Sequence, residues 1–398
     1  MAKRHPAVLV GLDLGTSKAA VIIALVNKGS VRVIGVGESL TSGMQRGSIT
    51  DINSAAVSIR QALERAEKMA NVKATAVYVS YNGTSISIKD CHIALAAGNH
   101  AGANKGNSAV GRRRYGEIIA TEIHADEKIL VAIPPNNILN FLKPGLEPEA
   151  RVITTVNRNI ENIIESARLA GLVVQDIVYS PLAAAEALLS RAEREFGTLL
   201  VDMGYAATTV SIFERDLIRE TAILAVGGEH LAGDLAIGLR TSMADAGEIL
   251  KKYHNDGKDG EGYVEIAGAD GKVARKVPND IVSSIIEARM QEILEMVAGV
   301  VEEFNYPGEL PGGAVLYGGV AQLDGLLPLS ENILRLKVRV GSLKDVGRDL
   351  GPRYVNAFGL VKYGSARCVG GKAYGGVMDR VFGWFQNKLK HDNNIYNN

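Results

Sequence analysis

The feature that most constrains this chain is an apolar strand that stops at an Asp-x-Gly turn, and it occurs twice. Ala7-Val8-Leu9-Val10-Gly11-Leu12 runs into Asp13-Leu14-Gly15-Thr16-Ser17-Lys18, and Thr198-Leu199-Leu200-Val201 runs into Asp202-Met203-Gly204. An unbroken apolar run is what a strand needs when both faces of its sheet are covered. Two more β-branched runs follow each turn: 20–26 and 31–37 after the first, 208–213 and 217–226 after the second. Each unit therefore reads as a three-stranded meander followed by helices. A third apolar strand, 313–317, ends in Gly318-Gly319 and leads to Gln322-Leu323-Asp324-Gly325-Leu326. This is a duplication of structure rather than of sequence. It predicts an α/β chain whose strand ends line a cleft.

The remaining pattern fills in around those units. Helical spacing predicts helices over 52–69, 159–170 (closed by Gly171) and 182–195, where Pro181 suits a first helical position. Strands are expected at 75–80 and 173–179. Residues 227–300 read as mainly helical, interrupted by a polar hairpin-like stretch at 257–277. Residues 84–151 break the rhythm: a stretch rich in Gly, Asn and Ala precedes Arg112-Arg113-Arg114, which reads as an inserted subdomain with an exposed basic loop. A solvated face is the plain account of that Arg run; contact with an anionic lipid or partner is the other.

Composition narrows the function classes. Lys+Arg and Asp+Glu are both 44, which argues against a general nucleic-acid binder. Two cysteines, Cys91 and Cys368, cannot make a disulfide framework, so a reducing compartment is expected. The basic start at Ala2-Lys3-Arg4 is followed by too short an apolar run for a secretory signal. No stretch reaches the roughly 18 apolar residues of a membrane span. The seven histidines show no metal spacing.

The turns suggest phosphate chemistry. A tight hairpin exposes backbone N–H groups as an anion nest. Thr16 and Ser17 add hydroxyls, Lys18 adds a cation, and Asp13 at the strand end can hold a hydrated Mg²⁺. One such turn is usually only a turn. Three in one α/β chain suggest that phosphates are gripped from two sides, with a base against the third.

With these strings in view, the chain resembles the actin and sugar-kinase ATPase superfamily, and within it the FtsA family of bacterial cell-division proteins. The resemblance covers most of the chain. It rests on the three turns and on longer strings: 225–230 leading into Asp234-Leu235-Ala236-Ile237-Gly238-Leu239-Arg240-Thr241, Ile285-Ile286-Glu287-Ala288-Arg289, and Asp349-Leu350-Gly351-Pro352-Arg353-Tyr354. It implies an actin-like duplicated ATPase fold with an inserted subdomain and a C-terminal amphipathic helix. Residues 1–83, 152–198 and 346–368 would form the first lobe, 84–151 the insertion, 199–226 and 301–345 the second lobe, and 227–300 its helical subdomain. It also implies ATP and Mg²⁺ as ligands. Asp13, Gly15, Thr16, Ser17 and Lys18 would form the first phosphate loop. Asp202, Gly204 and Thr208 would belong to the second, Asp13 and Asp202 would hold Mg²⁺ through water, Gly318, Gly319 and Gln322 would contact the adenosine, and Glu287 would lie near the ribose or base. Residues 181–187 and 357–363 would be the two hinge helices.

The second loop departs from the family pattern Asp-x-Gly-Gly-Gly-Thr-Thr-Asp. Here Tyr205 and Ala206 replace glycines, Ala207 a threonine and Thr209 the closing acid. Val320 stands where a third glycine is usual in the third turn. If those positions need positive φ, each non-glycine residue costs on the order of 1–2 kcal/mol, and Tyr205 could fill γ-phosphate space. Weak ATPase activity at most is the expectation, with no confident catalytic residue.

The tail carries a separate signal. Around a helix at roughly 100° per residue, Val377, Met378, Val381, Phe382, Trp384, Phe385 and Leu389 fall within an arc of about 160°. Lys388 lands inside that arc, where its stem can snorkel. Such a helix, over 377–391, is about 24 Å long, which suits the membrane interface rather than a span. A Gly-rich linker at 369–376 precedes it, and the polar 392–398 reads as disordered. The other reading is a terminal helix docked on its own core.

By resemblance the chain would self-associate into filaments with ATP bound. It would hold polymers of the tubulin-like FtsZ at the division site, on the cytoplasmic face of the membrane, among other divisome proteins. The alternatives are a diverged adaptor, either an FtsA paralogue or a pilus-assembly-like scaffold, with a degenerate nucleotide site, and an ATP-hydrolysing sugar kinase or chaperone. No sugar pocket or catalytic base supports the last.

Overall fold

The computed structural model describes residues 6–27, 29–95, 118–120, 123–124, 126–133, 149–256, 262–267, 274–343 and 350–369. The predicted amphipathic segment 377–391, its linker and the Arg112 run lie outside the described residues.

Two five-stranded sheets share one topology. In the first, β1 (Ala7–Leu14), β2 (Lys18–Asn27) and β3 (Ser30–Leu40) form an antiparallel meander. After the short hairpin β4 (Met44–Gln45) and β5 (Ser48–Ile49) comes α1 (Ile52–Ala70). Then β6 (Ala76–Tyr81) adds parallel to β1. The insertion supplies β7 (Ser87–Leu95), β8 (Ile118–Ala120), β9 (Glu127–Ile133) and β10 (Glu149–Val156), ordered β8-β7-β10-β9. Next come α2 (Asn157–Leu169) and β11 (Val173–Tyr179), the latter parallel to β6, giving the order β11-β6-β1-β2-β3. Then α3 (Ser180–Leu188) and α4 (Arg191–Phe196) cross to the second lobe.

There the plan repeats. β12 (Thr198–Met203), β13 (Thr208–Glu214) and β14 (Leu217–Leu224) form the meander. Helices α5 (Gly228–Gly238) and α6 (Met243–Asp256), hairpin β15 (Tyr263–Ala267) and β16 (Ala274–Pro278), and α7 (Asn279–Glu303) intervene. β17 (Ala314–Tyr317), α8 (Leu326–Leu334) and β18 (Val338–Val340) complete the order β14-β13-β12-β17-β18. Finally α9 (Val355–Val369) returns to the first lobe and packs on α3 and β1.

The apolar runs are continuous because both faces of each strand are covered. In β1, Val10, Leu12 and Leu14 pack under α1 and α2, while Leu9 faces a second core with α3 and α9. That second core is shared between lobes. It holds Ala183, Ala184 and Val361 with Leu200, Phe213, Val315 and Tyr317 of the second sheet. The hinge helices cross closely: a Cβ on Gly359 would stand 1.8 Å from the Ala183 carbonyl oxygen. At the hinge, the buried Tyr179 hydroxyl meets Thr221 Oγ1 at 2.9 Å. Val131 and Ile153 of the inserted sheet join the same core. Arg151 on β10 pairs with Asp90 (2.8 Å) and with Glu220 on β14.

One helix expected over 182–195 is two. Leu189 is extended, and Ser190 starts a new helix through a capping box: Ser190 Oγ accepts from Glu193 N (3.2 Å), and Ser190 N donates to Glu193 Oε2 (2.7 Å). The apolar period hid the break because the Ser-x-x-Glu signal sits inside it.

Candidate nucleotide site

The two Asp-x-Gly turns are the same turn. Gly15 N donates to Lys18 O at 2.9 Å, and Gly204 N donates to Ala207 O at 3.0 Å. Neither glycine has positive φ; closeness favours them instead, since a Cβ on Gly204 would stand 2.8 Å from Ala207 O and one on Gly15 3.2 Å from Lys18 O. Neither Tyr205, Ala206 nor Ala207 has positive φ. The expected backbone strain is therefore absent, and the loop accepts side chains without conformational cost. Tyr205 lies against the N-terminus of α5: a Cβ on Gly228 would stand 3.5 Å from its Cδ2. Burial raises the phenol's pKa, and Glu229 adds to the rise. The α5 N–H groups of Gly228 and Glu229 donate to the carbonyls of Gly204 (3.0 Å) and Tyr205 (2.8 Å). Val320 also has a structural reason to differ from glycine. It is buried in the second-lobe core, and its Cγ2 would lie 3.3 Å from a Cβ on Gly228.

The packing of α3 against α9 between the two sheets brings Asp13 and Asp202 together. Asp13 Oδ1 accepts from Ser80 Oγ (2.5 Å) and, more weakly, from Asn356 Nδ2 (3.4 Å). Burial, opposed by these bonds and by Lys18, raises the Asp13 pKa. Asp202 is pushed up to about 7, first by burial and then by the Asp13 charge. The Tyr317 hydroxyl lies beside Asp202 without completing a well-directed hydrogen bond. Gly318, at φ +98°, makes this approach possible: a Cβ there would stand 2.7 Å from Asp202 Oδ1. Lys18 donates to the Arg353 carbonyl (3.0 Å) and lies 5.8 Å from the Tyr354 ring centroid. Burial holds its pKa down to about 8, with the Asp13 charge opposing. Arg353 and Tyr354 are in turn held by Glu38 (3.4 and 3.1 Å).

Other predicted residues are placed as follows. Thr16 Oγ1 accepts from Gly47 N (3.0 Å), so its own hydrogen can still be donated. Thr208 donates to the Val226 carbonyl (2.8 Å), which commits its hydroxyl hydrogen within the fold. Gly319 faces open space, and Gln322 ends the short turn 320–322 after β17. Glu287 is half-buried on α7. Ser80, Asn82, Tyr317 and Asn356 were not foreseen. Each sits at or just beyond a parallel strand's carboxyl end or at the start of a hinge helix, where open α/β sheets gather ligands.

The site can be tested for fit to a nucleotide and its cation. Two carboxylates face each other, and three buried polar atoms (Asn82 Oδ1, Asn356 Oδ1 and the Tyr317 hydroxyl) have no hydrogen-bond partner among the described residues. Mg²⁺ keeps several waters and is usually held by one or two carboxylates plus phosphate oxygens. Among the described residues no group of three or more His, Cys, Asp or Glu side chains is placed to hold a metal ion. The residues fit a hydrated divalent cation bound with phosphates.

Two copies of one sheet, hinged at paired helices, with strand-end turns facing across the cleft, define the actin-like ATPase fold. Solved structures agree on the fold. A type IV pilus PilM–PilN complex superposes with a TM-score of 0.66 at 15% identity, covering 91% of this chain and 98% of that one. MreB5 of Spiroplasma citri, bound to AMPPNP, gives 0.56 at 14% identity, covering 92% and 97%. Sequence relationship is more particular. The family model for cell division protein FtsA matches residues 199–359. The Bacillus subtilis cell division protein FtsA is 33% identical over 373 residues, 89% of this chain and 82% of the relative. That of Pseudomonas aeruginosa is 28% identical over 415 residues, 95% and 97%. The chain belongs to the FtsA family of cell-division proteins. Two of the strings that carried the resemblance meet in space: Arg289 on α7 clasps Asp234 on α5 at 2.5 and 3.0 Å.

Proposed function

We propose that this actin-like division protein binds ATP with Mg²⁺ between its lobes and self-assembles into filaments. It would hold FtsZ polymers to the cytoplasmic face of the membrane at the division site. The observation that carries the nucleotide half is the Asp13–Asp202 pair, set between two identical turns with Lys18 beside it. The membrane half rests on the sequence of 377–391, whose apolar arc contains the chain's only tryptophan, Trp384. Assembly would add avidity, since many weakly binding tails act together. Other divisome proteins are further partners in this reading, and hydrolysis is weak at most.

The test uses that tryptophan. Titrating the full-length chain with anionic vesicles should blue-shift its emission and pellet the protein. Truncation after Tyr374 should abolish pelleting, and FtsZ should co-pellet only with the full-length chain. Buried Trp384 without lipid, and no pelleting, would favour the cytoplasmic adaptor. That second reading has one observation of its own: the altered second loop, in which Ala207 stands where the family pattern has a threonine and Thr209 where it has an acid.

A further inference from the structure

The phosphate-facing side of the cleft carries a contact that the loops do not explain. Asn82 follows β6, in which Ser80 pairs with Asp13. Asn82 is the first residue beyond β6, two positions after Ser80. Across the cleft, Thr209 is directly paired with Asp202 and shares its face. Asn82 Nδ2 and Thr209 Oγ1 meet at 2.7 Å, joining first lobe to second beside the two carboxylates. This is where the family pattern has the closing acid of the second loop.

The contact is braced from behind. Gly47, in the turn between β4 and β5, donates its N–H to Thr16 Oγ1 of the first loop. The same glycine, at φ +80°, packs so tightly on the Asn82 carbonyl that a Cβ would stand 2.5 Å from it. The chain Thr16–Gly47–Asn82–Thr209 therefore runs from the first loop to the second lobe. Within it the Asn82 Oδ1 is buried and has no hydrogen-bond partner among the described residues. An amide that gives one hydrogen to a hydroxyl and leaves its oxygen unpaired is half used. Thr209 can donate as well as accept. If the amide turns over, its oxygen accepts from Thr209, and its NH₂ is released to donate to an anion. No hydrogen bond is lost and the orphaned oxygen is satisfied.

We infer that Asn82, held by Thr209, is a donor to the terminal phosphate of the bound nucleotide and sets the preference for triphosphate over diphosphate. This rests on the proposed nucleotide site.

The experiment is calorimetric titration of the full-length chain with Mg·AMPPNP and with Mg·ADP, for wild type, Asn82→Ala, Asn82→Asp and Thr209→Val. Melting temperatures check that each variant is folded. A hydrogen bond to a charged group corresponds to roughly tenfold or more in affinity. Asn82→Ala should weaken AMPPNP by about that factor and ADP by less than about twofold. Asn82→Asp, nearly isosteric, should weaken AMPPNP further by repulsion, and Thr209→Val should weaken it less than Asn82→Ala. Wild type binding both ligands, with the variants losing both equally or neither, overturns this inference and leaves the nucleotide site standing. Wild type binding neither overturns the site and the inference together.

Discussion

Replacing Asp202 by asparagine should make the empty protein more stable at neutral pH while removing its affinity for a Mg-bound nucleotide. The ordinary aspartate value is 3.8, and in the fold Asp202 is raised to about 7 by burial and by Asp13. Between those values the native state holds a proton that the unfolded chain has released. Stability therefore falls as pH rises through that window and levels off above about 7. About three pH units at about 1.4 kcal/mol each gives roughly 4 kcal/mol. Asparagine has the same shape and no such term. The difference in stability between Asp202→Asn and wild type should open from about pH 4 to about pH 7. At about 2–4 °C per kcal/mol for a cooperative unit of 150–250 residues, the difference in Tm should reach on the order of 10 °C. Differential scanning calorimetry of both proteins without nucleotide reads it, and subtraction removes titrating groups remote from Asp202, while the coupled Asp13 stays part of the difference. Parallel Tm curves across that range, or a variant that loses stability as pH rises, would refute the account of a strained carboxylate pair.

Other outcomes follow from the same geometry. Tyr205→Gly should not stabilise the second loop, because φ there is not positive; chemical denaturation should show a loss of about 0.4–1 kcal/mol from added unfolded-state freedom, and a gain would mean the native loop is strained. Mg-nucleotide affinity should be highest between Asp202 at about 7 and Lys18 at about 8. Below that interval Asp202 takes a proton and loses its attraction for the cation; above it Lys18 loses the proton that attracts phosphate. Calorimetric titration at a series of pH values checks this, and a monotonic profile would contradict it. Gly359→Ala drives a methyl into the Ala183 carbonyl and should cost about 1–3 kcal/mol or more. Urea denaturation measures the loss, and an unchanged midpoint would mean that the hinge helices do not cross as closely as described.

Much of the fold was legible because strand burial on two faces leaves a direct trace in sequence. The run Ala7 to Leu12 is apolar at both parities, since Val10 and Leu12 serve one core and Leu9 the other. The Asp-x-Gly turns were legible for a local reason as well: Gly15 and Gly204 each close a bond to a residue three positions on. What could not be read locally was the meaning of the substitutions. Tyr205 and Val320 look like damage beside the family pattern. In the fold one leans on α5 and the other fills the second-lobe core.

Sequence by itself determined the repeated unit, the positions of the carboxylates and the lysine, and the apolar arc of 377–391. Each depends on neighbours along the chain. Tertiary structure decided what those residues face. Asp13 and Asp202 are 189 positions apart, and only the crossing of α3 and α9 sets them against each other and raises their pKa values. Asn82 reaches Thr209, Ser80 reaches Asp13 and Arg353 reaches Lys18 across comparable separations. No local period encodes such pairs. Ser80 meets Asp13 because β6 and β1 are neighbours in one sheet, and Asn82 meets Thr209 because two sheets of one topology close on a shared core.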